Sequence, residues 1–177
     1  MLTTLEPFKR QTQKQHGFTV AEALLASGVL ALCTAACLSA IGFDQVCIRK
    51  AKEEAIVMDF LAHYTETLKA LPFESIGVGM PINYLFDGAH SGPNLPIPAS
   101  GAWVALDSNA YQTFHPDLVW LSNRKPQMQV TLAQTKMGTV LHHIQINIKV
   151  DWDPPMGRGQ RMEVQTDLLR SKDVTTL

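Results

Sequence analysis

Between Phe18 and Phe43 the chain runs 26 residues with one charge, Glu22, and charge returns only at Asp44. As a helix rising about 1.5 Å per residue, that run is ~39 Å long, enough to cross the hydrocarbon core of a bilayer with some tilt. Beyond it the helical period continues with a different character. Ile48, Ala51, Ala55, Met58, Ala62 and Thr65 recur at intervals of three and four, and Phe60, Leu61, Leu68 and Leu71 widen the stripe. Lys50, Lys52, Glu53, Glu54, Asp59 and Glu66 make up the opposite face. The pattern predicts one long helix with a transmembrane half, 18–43, and an amphipathic half, 44–71. Pro72 ends it, because proline has no backbone donor and disfavours helix in the residue before it.

Residues 72–101 are rich in Gly, Pro, Ser and Asn and read as an irregular loop with at most a short strand, wrapping the helix or covering a sheet. Strands are expected afterwards at 102–106, 118–121, 127–133, 140–152 and 160–169. The fourth carries the clearest pattern. Ile144, Ile146, Ile148, Val150 and Trp152 alternate with His143, Gln145, Asn147, Lys149 and Asp151, as on a sheet with one buried face and one wet face. "DPPMGRG" supplies a turn, and Met162, Val164, Thr166 and Leu168 alternate on the return, so 140–169 is expected to form a β-hairpin. A long helix followed by a run of strands predicts an α+β fold, the amphipathic half of the helix packed on an antiparallel sheet formed by 102–177.

Composition narrows the function. A chain of 177 residues that is 46% hydrophobic is no disordered protein, and a formal net charge of −1 without a basic block gives no reason to expect nucleic acid as a partner. The three cysteines, Cys33, Cys37 and Cys47, lie in or just after the apolar run, which argues against a disulfide-stapled domain. Cys33 and Cys37 are one helical turn apart but lack the four ligands of a structural zinc site. Ahead of the run, residues 1–17 form a basic leader carrying Lys9, Arg10 and Lys14. A secretory signal would have a shorter apolar region and then a small-residue cleavage motif; here the run leads straight into charged sequence, although "SGVLALCTAACLSA" offers small residues for a late cut. Three leader cations face Arg49, Lys50 and Lys52 just beyond the span, so the positive-inside count does not set orientation.

An ionisable side chain in a membrane span costs on the order of 2.5 to 3.5 kcal/mol at the bilayer centre, so Glu22 requires a compensating partner. Its setting identifies one. The run Gly17-Phe18-Thr19-Val20-Ala21-Glu22, basic before and apolar after, resembles the signal of type IV prepilins and type II secretion pseudopilins. The match is residue by residue over these six positions, the flanking pattern extends it to about Ala70, and the C-terminal half agrees only in general organisation. Ser39 stands where major pilins commonly carry a kinking proline, which favours a minor pilin or pseudopilin. The resemblance implies a pilin-like fold, cleavage between Gly17 and Phe18 by a prepilin peptidase, and N-methylation of the new Phe18 amine. It also implies a single-pass protein of the bacterial inner membrane with its C-terminal domain periplasmic or extracellular. Its partners would be the lipid bilayer, other pilin or pseudopilin subunits and an inner-membrane assembly platform. Cleavage would place a cationic amine one helical turn from Glu22, so that this assembly carboxylate could pair with the amine of a neighbouring subunit and set axial register.

Catalytic or ligand-binding patterns are sparse. His142 and His143 are adjacent in a predicted strand, where alternation sends neighbours to opposite faces, and His90 and His115 fall in loops without zinc spacing. Asp151, Asp153 and Asp167 could gather around a hard cation, as in some pseudopilins that bind calcium, but six to eight oxygens are wanted and no EF-hand pattern supplies them. G-x-S-x-G, the P-loop and H-E-x-x-H are missing. The expectation is a structural subunit, not an enzyme, with no catalytic residues, metal or cofactor. The alternative is a signal-anchored periplasmic binding or enzymatic domain whose helix only tethers it.

Overall fold

The structure is a computed structural model that describes residues 18–82, 95–137, 140–155 and 160–172. The expected leader, 1–17, lies outside the described residues, and Gly17 and His90 with it. The chain divides into two compact units, Met1–Phe43 and Asp44–Leu177.

Helix α1, Val20–Ala70, supplies the described part of the first unit. It holds an 18-residue window of mean hydropathy 2.2, none of it buried, and is long and apolar enough to cross a membrane. Its few hydroxyls are matched to backbone. Ser27 donates to the Leu24 carbonyl, Thr34 to Ala31 and Ser39 to Ala35, each at 2.9 Å. Such back-bonding gives each hydroxyl a partner within the helix itself.

In the second unit, α1 buries Glu53, Ile56, Val57, Phe60, Leu61, Tyr64, Thr67 and Leu68. This face is not the one expected from the sequence. Ile48, Ala51, Ala55, Met58 and Ala62 are exposed, whereas the residues thought merely to widen the stripe form its centre. The larger side chains decide the outcome, since a fully buried Leu, Ile or Phe contributes roughly 1.5 to 3 kcal/mol and an alanine far less. Glu53, assigned to the wet face, is buried. The helix ends before Pro72 as expected, and its last carbonyls are not left open. Arg170 Nη1 donates to the carbonyls of Leu68 (3.0 Å), Lys69 (2.8 Å) and Leu71 (3.3 Å), which places a cation at the negative end of the helix.

The described residues of the expected loop carry a 3-10 turn, Phe73–Ser75, and a two-stranded ladder of β1, Pro81–Ile82, with β2, Leu95–Pro96. Ile76, Leu95 and Ile97 are buried in the main core, so this segment covers it. Gly101, at φ +82, leads into β3, Trp103–Ala105; the left-handed turn lets its N–H reach the Val130 carbonyl at 2.9 Å.

Strands β4, Gln127–Met137, β5, Val140–Trp152, and β6, Met162–Ser171, complete a four-stranded antiparallel sheet in the order β3-β4-β5-β6. The hairpin register pairs Trp152 with Met162 and Ile146 with Leu168. All five apolar residues of the β5 pattern are fully buried, with Met128 and Val130 of β4 beside them in the core that holds the helix stripe. The layout is thus a long N-terminal helix followed by an antiparallel sheet, an α+β arrangement.

The expected strand 118–121 is instead part of a 3-10 helix, Pro116–Arg124. Leu118 and Leu121 are fully buried while Val119 and Trp120 are exposed, a spacing of three, not two. Pro116 at its first position favours that start, because its fixed φ and missing donor suit a helix beginning. Ahead of it lies a short helix that the sequence pattern did not suggest, α2, Asn109–Phe114, which buries Tyr111 and Phe114.

Candidate functional site

The residues at the start of α1 form a closed local unit. Thr19 precedes the first helical residue, and its carbonyl already accepts the Ala23 N–H at 3.1 Å. The Glu22 carboxylate turns back to accept the Thr19 N–H at 2.9 Å and the Thr19 hydroxyl at 2.8 Å, both on Oε2. In return Thr19 Oγ1 accepts the Glu22 N–H at 3.3 Å. This is a capping box: hydroxyl and carboxylate each satisfy a backbone donor that the first helical turn leaves unpaired. The carboxylate also sits at the positive end of the helix dipole. Phe18 stands one residue ahead of the cap and is 83% exposed. Glu22 is therefore already compensated within its own chain, by Thr19, and its Oε1 takes no part in either bond. The spacing Thr-x-x-Glu ahead of an apolar run was visible in the sequence, although Thr19 was assigned no role there.

The histidines are arranged differently from expectation. Thr135 faces His143 and Lys136 faces Leu141, so His142 is an extra residue in β5 without a partner in the β4 ladder. Such a bulge breaks strict alternation and re-aims side chains. His142 Nδ1 and His143 Nε2 consequently lie 2.7 Å apart, a hydrogen bond in which one ring donates and the other accepts. His115 is buried, with Nε2 at 3.1 Å from Asp59 Oδ2 and its ring edge-on to Phe60. His63 stacks against Phe114 at 4.6 Å and lies 5.9 Å from His115 between ring centres. Burial, followed by the nearby His115, lowers the His63 pKa from its usual 6.5, while Asp59 and Glu66 oppose the shift.

The three aspartates do not gather. Asp151 and Asp153 both bind Arg161, at 3.0 and 3.3 Å. Burial raises the Asp151 pKa even though Arg161 opposes it. Asp167 lies four residues further along the hairpin register and accepts Asn147 Nδ2 at 2.7 Å. Among the described residues no three of His, Cys, Asp and Glu converge as a metal would require, and Cys33, Cys37 and Cys47 are free and exposed.

Sequence reasoning also missed a polar cluster under the sheet. Glu53 is 8% exposed; its Oε1 accepts Arg124 Nε at 3.0 Å and its Oε2 accepts Trp152 Nε1 at 3.3 Å. Arg124 Nη1 donates in addition to the Pro155 carbonyl at 3.1 Å. The partners stand 71 and 99 residues away, and no local spacing could have revealed them.

The helix start thus presents an exposed Phe18 followed by a carboxylate with Oε2 in the cap and Oε1 outside it. No family model, curated protein or solved structure matches the chain.

Proposed function

We propose that this chain is a minor pilin or pseudopilin subunit. It is cut between Gly17 and Phe18 by a prepilin peptidase, methylated on the Phe18 amine, and assembled with other such subunits from an inner-membrane platform into a type IV pilus or type II secretion pseudopilus. In this reading the apolar half of α1 anchors the subunit in the bacterial inner membrane, and the domain beyond it is periplasmic or extracellular. The resemblance of residues 17–22 to the prepilin signal suggests the reading. The observation that carries it is the apolar run 18–43, whose single carboxylate is fixed at the first turn of α1, with Oε2 in the cap and Oε1 outside it.

The mature terminus tests the processing. Intact-mass analysis is expected to find a chain beginning at methyl-Phe18, whereas an unprocessed chain favours a signal-anchored domain with a tethering helix. Substitution tests the carboxylate separately from the cap. Glu22→Gln retains a side chain that closes a capping box but removes the charge. We expect Glu22→Gln to insert and be processed normally yet to enter filaments as poorly as Glu22→Ala, a loss of about tenfold or more for an ion pair formed away from water. Wild-type incorporation of the glutamine variant would reduce Glu22 to a helix cap.

A further inference from the structure

Arg49, Lys52, Glu53 and Ile56 lie at helical spacings of three, four and seven along one face of α1, where together with Trp120 and Arg124 they line a cleft of ≈ 310 Å³. That volume is at the small end of ligand sites, which run from about 300 to 1,000 Å³. Its charge is unbalanced. Glu53 is already taken by Arg124 and Trp152, and among the described residues neither Arg49 nor Lys52 has a carboxylate partner. Lys52 Nζ rests 4.7 Å from the centre of the Trp120 ring, and that ring is 70% exposed beside an exposed Val119. Two cations without a carboxylate partner among the described residues, beside an exposed indole, describe a site for an anion attached to an apolar body.

We propose that this cleft binds the phosphate of an anionic phospholipid headgroup, with Arg49 and Lys52 as the donors and Trp120 as the wall against the glycerol and upper acyl chain. The proposal rests on residues 18–43 being a membrane anchor. Arg49 follows Phe43 by six residues in the same helix, so the cations belong to the stretch just past the apolar run. Cations in such a position are drawn to acidic lipid, and tryptophan favours the boundary between hydrocarbon and water. An acidic peptide would satisfy the charges but would leave the exposed Trp120 unexplained.

The test is native mass spectrometry of the full chain, released from non-ionic detergent containing equimolar phosphatidylglycerol and phosphatidylcholine. Phosphatidylglycerol is expected to be retained in excess, and Arg49→Gln with Lys52→Gln is expected to reduce that excess about 25-fold, about fivefold for each cation. Trp120→Ala also lowers it, while Lys50→Gln, whose side chain lines a different cleft with Trp152 and Glu163, leaves it unchanged. All these side chains are exposed, so the variants keep the core, and unfolding at the wild-type temperature in the same detergent verifies this. Equal retention of the two lipids, or an equal loss with Lys50→Gln, overturns the proposal. Displacement of phosphatidylglycerol by millimolar inorganic phosphate also overturns it, in favour of a free-anion site. Flotation with phosphatidylcholine vesicles separates the two readings: a chain that fails to float defeats the anchor, and one that floats without retaining excess phosphatidylglycerol defeats the cleft alone.

Discussion

Glu22, at the start of an apolar helix, and Glu53, buried beside the sheet, are both answered by hydrogen-bond donors, but in different ways. Glu22 is answered three residues away by Thr19, through two hydrogen bonds at 2.9 and 2.8 Å. That solution is local, and the Thr-x-x-Glu spacing records it. Glu53 is answered by Arg124 and Trp152, and nothing near it in the chain distinguishes it from the exposed Glu54. Removing one partner of a buried pair leaves the other charge without compensation, so Glu53→Ala is expected to lower stability by about 2 to 4 kcal/mol, less than for a fully buried pair because Arg124 keeps some contact with water. Glu53→Gln keeps one carbonyl acceptor but turns an NH2 towards the other donor, so it should recover only part of that loss. Urea unfolding of the full chain in detergent measures both, and equal midpoints for the two variants would mean that charge, not shape, is what the site requires.

The helix and the central hairpin could be read from the chain because each is specified by a short-range period. The apolar run, the stop at Pro72 and the alternation from Ile144 to Trp152 all reappear in α1 and β5. Element type failed where the period was short and ambiguous. Leu118 to Leu121 spans four apolar residues that fit a strand as well as a 3-10 turn, and burial of only the first and last distinguishes them. Ends of elements depend on distant groups too. Arg170, 99 to 102 residues from the carbonyls it binds, caps α1 from the edge strand β6. Arg170→Ala is expected to cost about 1 to 2 kcal/mol and to fray the last turn, seen as faster amide exchange near residue 70 with the centre of the helix unchanged. Uniform exchange along α1 would show that the guanidinium does not cap it.

In the second unit, helix, loop segments and sheet share one apolar core, and titratable groups sit at its margin. His63 is the clearest, with its ring against Phe114 and His115, Asp59 and Glu66 around it. Because the folded-state pKa lies below 6.5, the unfolded chain binds the proton more readily. Its contribution to stability is therefore complete above that value and declines as pH falls through the window beneath it. Urea midpoints should fall between about pH 7.5 and 5.5 in the wild type and change less in His63→Gln, and parallel profiles would remove His63 from the effect. The amino-acid order alone determined the apolar helix, its capped start, its stop and the alternating hairpin, since each arises from neighbours within a turn or two of chain. Tertiary structure alone decided which face of α1 is buried, that Glu53 meets Arg124 and Trp152, and that a bulge brings His142 against His143. Those outcomes depend on sheet register and on which bulky side chains compete for one core; Glu53 meets partners 71 and 99 residues away, and the bulge is set by the pairing of β5 with β4, so each is decided only when the chain has folded.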